Sequence, residues 1–219
     1  LLPPNAPFFR LTMDDFDVQN IAGEGTRGKV EEALGRIERA AMQEVETKAI
    51  RVPVFEAIKQ LIVAGNVLVH MPKEGGVRVF RLDRYVCQRD AMGNVLEIII
   101  KETVSPQMLP QKVKELLTKP DEEQQFKNVD LYTHVKRVGK KWEVYQEVEG
   151  VVVPNSQGSY PISKSPFMSL RMVRIDGESY GRGYVEEFIG DLSSLETLTK
   201  AIVQGSAAAA KVLFLVRPN

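Results

Sequence analysis

The residues of this chain whose types could do chemistry are few and scattered. Asp176-Gly177-Glu178-Ser179-Tyr180-Gly181-Arg182-Gly183 joins a strand-like run to a helix-like one, the place where a phosphate-cradling loop would lie. No Gly-Lys-Ser/Thr follows it, and Glu178 would repel a phosphate at a helix N-terminus. A tight strand-to-helix corner, with glycines supplying unusual φ, is the better reading. Asp14, Asp15 and Asp17 suggest a carboxylate cluster for a metal, but no matching acidic group stands near them in sequence, so they read as a solvated acidic arm. His70, shortly before a proline, and His134, in an alternating run, read as half-buried strand residues rather than bases, and the chain has no Gly-x-Ser-x-Gly. A single cysteine, Cys87, excludes an internal disulfide, and with two histidines it leaves no structural zinc set. It fits an intracellular origin. Lys136, Arg137, Lys140 and Lys141 beside Trp142 form the only basic cluster with an aromatic, but a hairpin tip commonly carries solvated lysines, and this patch alone does not support DNA binding. The expectation is therefore a protein that is not an enzyme and carries no cofactor and no metal.

The elements that must position these residues follow from composition and periodicity. The 219 residues suffice for one or two domains with a core, and 43% hydrophobic residues fit a globular class. Lysine plus arginine equals aspartate plus glutamate at 29 each, so no net field draws the chain to nucleic acid or to an anionic membrane. No stretch approaches the roughly 20 apolar residues that cross a bilayer. The start, LLPPNAPFF, lacks a charged n-region and a cleavage site, so it is not a secretory signal. A start without Met, and an end at Arg217-Pro218-Asn219 directly after an apolar run, are expected of a fragment.

Residues 1–21 read as an arm or edge strand. Val30, Leu34, Ile37, Ala41 and Val45 recur at steps of three and four, which predicts an amphipathic helix ending near Ile50. Pro53 opens a second helix over 54–63, apolar on most sides and therefore expected to be buried, with Gly65-Asn66 as its stop. From Val67 the period becomes two. Strands are predicted at 67–71, 77–82, 85–88, 95–103, 131–138, 142–148, 151–153 and 168–175, with a turn at Asp90-Ala91-Met92-Gly93-Asn94, another at Gly139-Lys140-Lys141, and a short charged helix at 111–117. A last helix runs from about Tyr184. Helices, antiparallel strands and a long C-terminal helix give an α+β fold.

That last helix carries the most information. At about 100° per residue, Glu196, Lys200, Gln204, Ala207 and Lys211 share one face, while Leu195, Leu198, Ile202, Ala209 and Leu213 lie opposite. Ala201, Gly205, Ala208 and Val212 form one flank; Leu192, Thr199, Val203, Ser206 and Ala210 form the other. Both flanks shrink towards the C-terminus, which permits close neighbours on two sides. The plainer alternative is that alanine simply favours helix and that one partner element of the same subunit covers the small surface.

Three stretches carry a resemblance: Phe55 to Leu68 (FEAIKQLIVAGNVL), Gln88 to Leu96 (QRDAMGNVL) and Arg171 to Arg182 (RMVRIDGESYGR). They resemble, in order, the head-to-tail connector, or portal, proteins of short-tailed bacteriophages, from about Arg51 to Pro218. The resemblance implies a structural, non-enzymatic subunit of a homo-oligomeric ring, typically a dodecamer, at one capsid vertex. Double-stranded DNA passes through its channel during packaging and ejection. It further implies a terminase packaging motor, tail adaptor, scaffold and capsid proteins as partners, no membrane, and a place in the virion after assembly in the host bacterial cytoplasm. By position it implies an N-terminal arm (1–22), a wing domain of helices and antiparallel strands (23–183), a stem helix (184–213) and the start of a truncated clip (214–219). Lys200, Gln204 and Lys211 are then candidates for the channel side, and Gly205, Ser206, Ala208 and Ala210 for the subunit interface. The rival expectation is a monomeric β-rich protein-binding module whose last helix packs on its own sheet.

Overall fold

The computed structural model describes residues 8–13, 27–111, 113–114 and 128–211. Asp14, Asp15 and Asp17, most of the predicted 111–117 helix and everything after Lys211 lie outside the described residues. The fold is α+β, with antiparallel sheets, as the periodicity predicts.

Helix α1 (Arg27–Thr47) carries the predicted stripe and is braced on its polar side by the i,i+4 pair Glu32–Arg36 at 2.9 Å. It ends where Ala49 takes a positive φ of 49°, and α2 (Arg51–Ala64) begins at once, with Pro53 in a first turn that has no use for its missing N–H. Gly65, at φ 70°, closes α2 by donating its N–H to Leu61 O at 2.9 Å. The expectation that α2 is buried on most sides is overturned: only Ala57 is buried, and Val52, Phe55, Ile62 and Val63 are exposed. One sheet packs on one face of the helix and the turn Tyr184–Glu187 packs beside it, and together they leave these four side chains open. Of residues 1–21, expected as an arm or edge strand, the described 8–13 form no strand and the rest lie outside the described residues; the backbone N–H of Leu11 reaches Glu38 Oε2 of α1 at 3.5 Å.

Strands β1 (Asn66–His70), β2 (Arg78–Phe80) and β9 (Phe167–Arg171) form a three-stranded sheet with β1 in the middle. Strands β3 (Tyr85–Arg89), β4 (Val95–Val104), β5 (Val129–Val138) and β6 (Lys141–Val148) run as a meander, and β7 (Val151–Val152) and β8 (Gly158–Pro161) both pair with β6. The period-two pattern located these strands except β8, whose Gly-Ser-Tyr-Pro has too little apolar content to register. The strand predicted to run to Ile175 stops at Arg171 because Val173 leaves the sheet to bridge Arg182.

Alternation along β1 decides the layering. Val67 and Val69 pack against Ala57 and Leu61 of α2, while Leu68, between them and pointing the other way, packs with Phe80, Tyr85, Cys87, Ile98, Ile100, Val135 and Trp142. The small sheet is thus a middle layer between α2 and the large sheet. Leu68, fully buried, contributes about 2 kcal/mol by leaving water. A second cluster, Leu109, Val113, Val148 and Val153, closes the far end of the large sheet.

Candidate assembly helix and its base

Two helices, one short and one long, follow the sheets. Helix α3 (Tyr184–Glu187) is a single turn, and α4 (Ile189–Ala209) follows it after a break at Phe188, whose φ of −105° and ψ of 19° are not helical. The single helix expected over 184–213 is therefore two, and the described helix ends at Ala209.

The base of this element is fixed by close backbone approach. A Cβ on Gly65 would stand 2.2 Å from the carbonyl carbon of Arg182, and one on Gly183 would stand 2.6 Å from Val63 O. A Cβ on Gly181 would meet Val173 O at 2.6 Å. The 176–183 segment is a corner, as expected, but only Gly177 has a positive φ; nothing larger than glycine fits at Gly183 against the end of α2, or at Gly181 against Val173 and Arg171. Asn66, buried between the two segments, donates through Nδ2 to Ala64 O at 2.9 Å and to Gly181 O at 2.8 Å, and accepts from Gly181 N–H at 2.8 Å.

The same corner is sewn to the large sheet. The backbone N–H of Cys87 donates to Tyr180 Oη at 3.0 Å, and that of Arg89 to Ser179 Oγ at 3.3 Å, so side chains satisfy donors on the free edge of β3. The Arg89 guanidinium donates to Ser179 O, Gly93 O, Ser169 O and Ser169 Oγ at 2.8–3.0 Å. Arg182 pairs with Glu178 at 3.4 Å and with Glu186, whose carboxylates raise its pKa further.

The turn between β3 and β4 is built as predicted around Gly93, at φ 84°, with Asp90 and Asn94 exchanging side-chain and backbone bonds. Its surroundings were not legible: Arg171 Nη2 and Arg174 Nη2 lie 2.9 and 3.1 Å from the point a Gly93 Cβ would occupy. Burial, and then the charges of Arg89 and Arg174, lower the pKa of Arg171. His70 is stacked on Phe167 at 4.3 Å and His134 on Tyr145 at 4.6 Å, both half-buried as expected. Burial lowers the pKa of His70, and the charge of Arg78 lowers it further.

Beyond this base α4 stands free. Every residue from Tyr184 to Lys211 except Val185 is exposed, and Leu195 at 60%, Leu198 at 59%, Ile202 at 60% and Val203 at 62% leave a long apolar surface open. Ser194, Thr197 and Thr199 turn their hydroxyls back to carbonyls of the preceding turn at 2.8–2.9 Å, so they present carbon outward. The chain matches the family described as "Bacteriophage head to tail connecting protein" over residues 1–219. It belongs to that family.

Among relatives, the chain is 40% identical to the portal protein of Escherichia phage T7 and 41% identical to that of Enterobacteria phage T3, in each case over 98% of this chain and 42% of the relative. It is 32% identical to the portal protein of Pseudomonas phage phiKMV, over 99% of this chain and 44% of that protein. The chain thus spans less than half the length of the curated relatives it matches. In this member of the connector family, Lys200, Gln204, Gly205, Ser206, Ala208, Ala210 and Lys211 are all exposed. Lys200 and Gln204 lie within α4, but Ala210 caps it and Lys211 falls past its end, so the 100° projection that grouped Lys211 with them stops short of it. The helix does not lie on its own sheets, contrary to the packing that a monomeric binding module requires.

Proposed function

We propose that this chain is the wing and first stem helix of a portal subunit, a structural, non-enzymatic protein that forms a ring at one capsid vertex. The observation that carries this reading is α4: a helix held rigidly at its base by Gly65, Asn66 and Gly183, yet exposed along its whole length with its apolar residues uncovered. A stripe of leucine, isoleucine and valine in water is costly at about 25 cal/mol per Å², and copies of the same helix on either side relieve that cost. A cyclic contact is heterologous, one flank against the opposite flank of the next copy, and closes by rotation. Gly205, Ser206, Ala208 and Ala210 let such copies approach near the axis. Family membership and the portal relatives support this assignment.

In this reading residues 1–22 are an arm, 23–183 the wing, 184–213 the stem and 214–219 the entrance to the clip. Twelve copies make the ring. Double-stranded DNA passes through it, with Lys200, Gln204 and Lys211 on the channel side. A channel that neutralised many phosphates would hold DNA tightly at low salt, whereas translocation needs weak, sequence-blind contact; a neutral chain with sparse lysines meets that need. A terminase supplies the ATP hydrolysis, and tail adaptor, scaffold and capsid proteins dock on the ring in the virion after assembly in the host bacterial cytoplasm. Electron microscopy and sedimentation of the full-length protein test this: rings are expected, and a protein that stays monomeric at high concentration overturns the proposal.

A further inference from the structure

A cluster of like charge stands at the β3–β4 turn, away from the ring helix. Three guanidinium groups surround Gly93: Arg89 Nη1 donates to Gly93 O at 3.0 Å, Arg174 Nη2 donates to Met92 O at 2.8 Å, and Arg171, which donates to Glu178 O at 2.9 Å, lies against the same turn. Their partners are backbone carbonyls and one serine hydroxyl. None of the three enters an ion pair among the described residues. Charges brought this close repel, and Arg89 already gives four hydrogen bonds to the turn and its neighbours. Arg174, by contrast, is exposed and makes a single bond to a surface carbonyl, which leaves most of its donor fork open.

The rim continues beyond the turn. Arg137 acts electrostatically on Asp90, and the exposed Lys136, Lys140 and Lys141 sit at the adjoining β5–β6 tip. The one carboxylate on the turn, Asp90, is taken up by the side-chain and backbone N–H groups of Asn94 at 2.9 and 2.7 Å. Met92, 75% exposed, stands among these cations, and Met172 is exposed next to Arg171 in sequence.

We propose that Arg174, Arg171 and Arg137, with Met92 among them, bind an acidic segment of a partner protein that also carries apolar side chains. Guanidinium forks match carboxylates two bonds at a time, and an exposed, adaptable methionine takes an aliphatic neighbour. A nucleic-acid backbone suits this surface less well, because its phosphates call for cations strung along a line and make no use of Met92. The inference stands on this cluster and is independent of ring formation.

The test is fluorescence anisotropy on the full-length protein, with a labelled peptide of alternating glutamate and leucine and, separately, labelled duplex DNA. The peptide is expected to bind in a salt-dependent way, with affinity falling about tenfold in Arg174→Glu and in Arg137→Glu, less in Arg174→Lys, and not at all in Lys164→Glu. Circular dichroism confirms that each variant is folded, and Arg137→Glu, on a different hairpin, carries the test if Arg174→Glu is not. No peptide binding, or equal affinity in wild type, Arg174→Glu and Arg137→Glu, overturns the proposal. Duplex DNA binding that these two variants abolish, in place of peptide binding, overturns it in favour of a nucleic-acid site. Micrographs of the same samples score rings separately, so the failure of one reading is distinguishable from the failure of the other.

Discussion

Asn66 holds Gly181 from both sides of its backbone, donating to its carbonyl and accepting from its N–H, each at 2.8 Å. The two residues are 115 positions apart. Through this one amide the end of α2, the start of the central strand β1 and the corner before α3 become a single rigid joint, from which α4 projects.

Replacing Asn66 with Ala leaves both Gly181 groups and Ala64 O without a partner in a dry site. The expected loss of stability is about 2–4 kcal/mol, measured by urea unfolding. Asn66→Asp keeps the acceptor but turns a carboxylate oxygen towards Ala64 O and Gly181 O in a buried site, so it is expected to cost at least as much. Amide exchange should quicken at Gly181 in both variants, and unchanged exchange there would mean the joint has another source of order.

Gly183 is a second point of failure. A methyl group there must displace the last turn of α2, whose Val63 O and Ile62 O would lie 2.6 and 2.9 Å away. Gly183→Ala is expected to cost at least about 2 kcal/mol and to tilt α3, visible as a shift in thermal midpoint and in spectra of the 181–188 amides. Gly190→Ala, where nothing stands within 4 Å, should be tolerated or mildly stabilising.

His70 makes stability depend on pH in one direction. Burial, helped by Arg78, sets its folded pKa below the ordinary value of 6.5, so the unfolded chain takes up the proton first. Its contribution is complete above that value and is lost as pH falls from it through the folded pKa. His70→Gln should remove this fall from the variant's own curve, so the unfolding free energy of wild type minus variant declines as pH drops across that window, and a parallel pair of curves would assign the effect elsewhere.

If α4 packs between copies of itself, side chains added to its narrow end must separate them. Ala208→Leu and Ala210→Leu, singly and together, are expected to reduce ring yield in electron micrographs of the full-length protein while leaving the β-sheet circular dichroism unchanged. Intact rings from the double variant would place the contact elsewhere. Both residues are exposed in this chain, so overpacking against its described elements does not explain a loss.

Local pattern determined a large part of this molecule. The step of three and four in α1, Pro53 and Gly65 at the ends of α2, the period of two in β1 to β6, and the glycine turns at Gly93 and Gly139 all act over a few residues, and a sequence shows such effects directly. The tapering flanks of α4 are equally visible, since a helix's faces follow from its period alone.

Other features exist only once distant segments meet. Gly181 and Gly183 look like loop punctuation in the chain, and only their contacts, with Val173 and Arg171 for the first and the end of α2 for the second, show that they are there for want of space. Exposure of Phe55 and Val63 contradicts their apolar pattern, because burial depends on which element arrives to cover a face, and the sheet and α3 leave these positions of α2 open. Arg89 and Gly93 stand far from Arg171 and Arg174 in the sequence, and β-pairing with β1 and the corner's return to β3 bring them together. Periodicity fixes what a segment is; chain-distant packing fixes what it touches, and the joint beneath α4 and the basic rim both belong to the second kind.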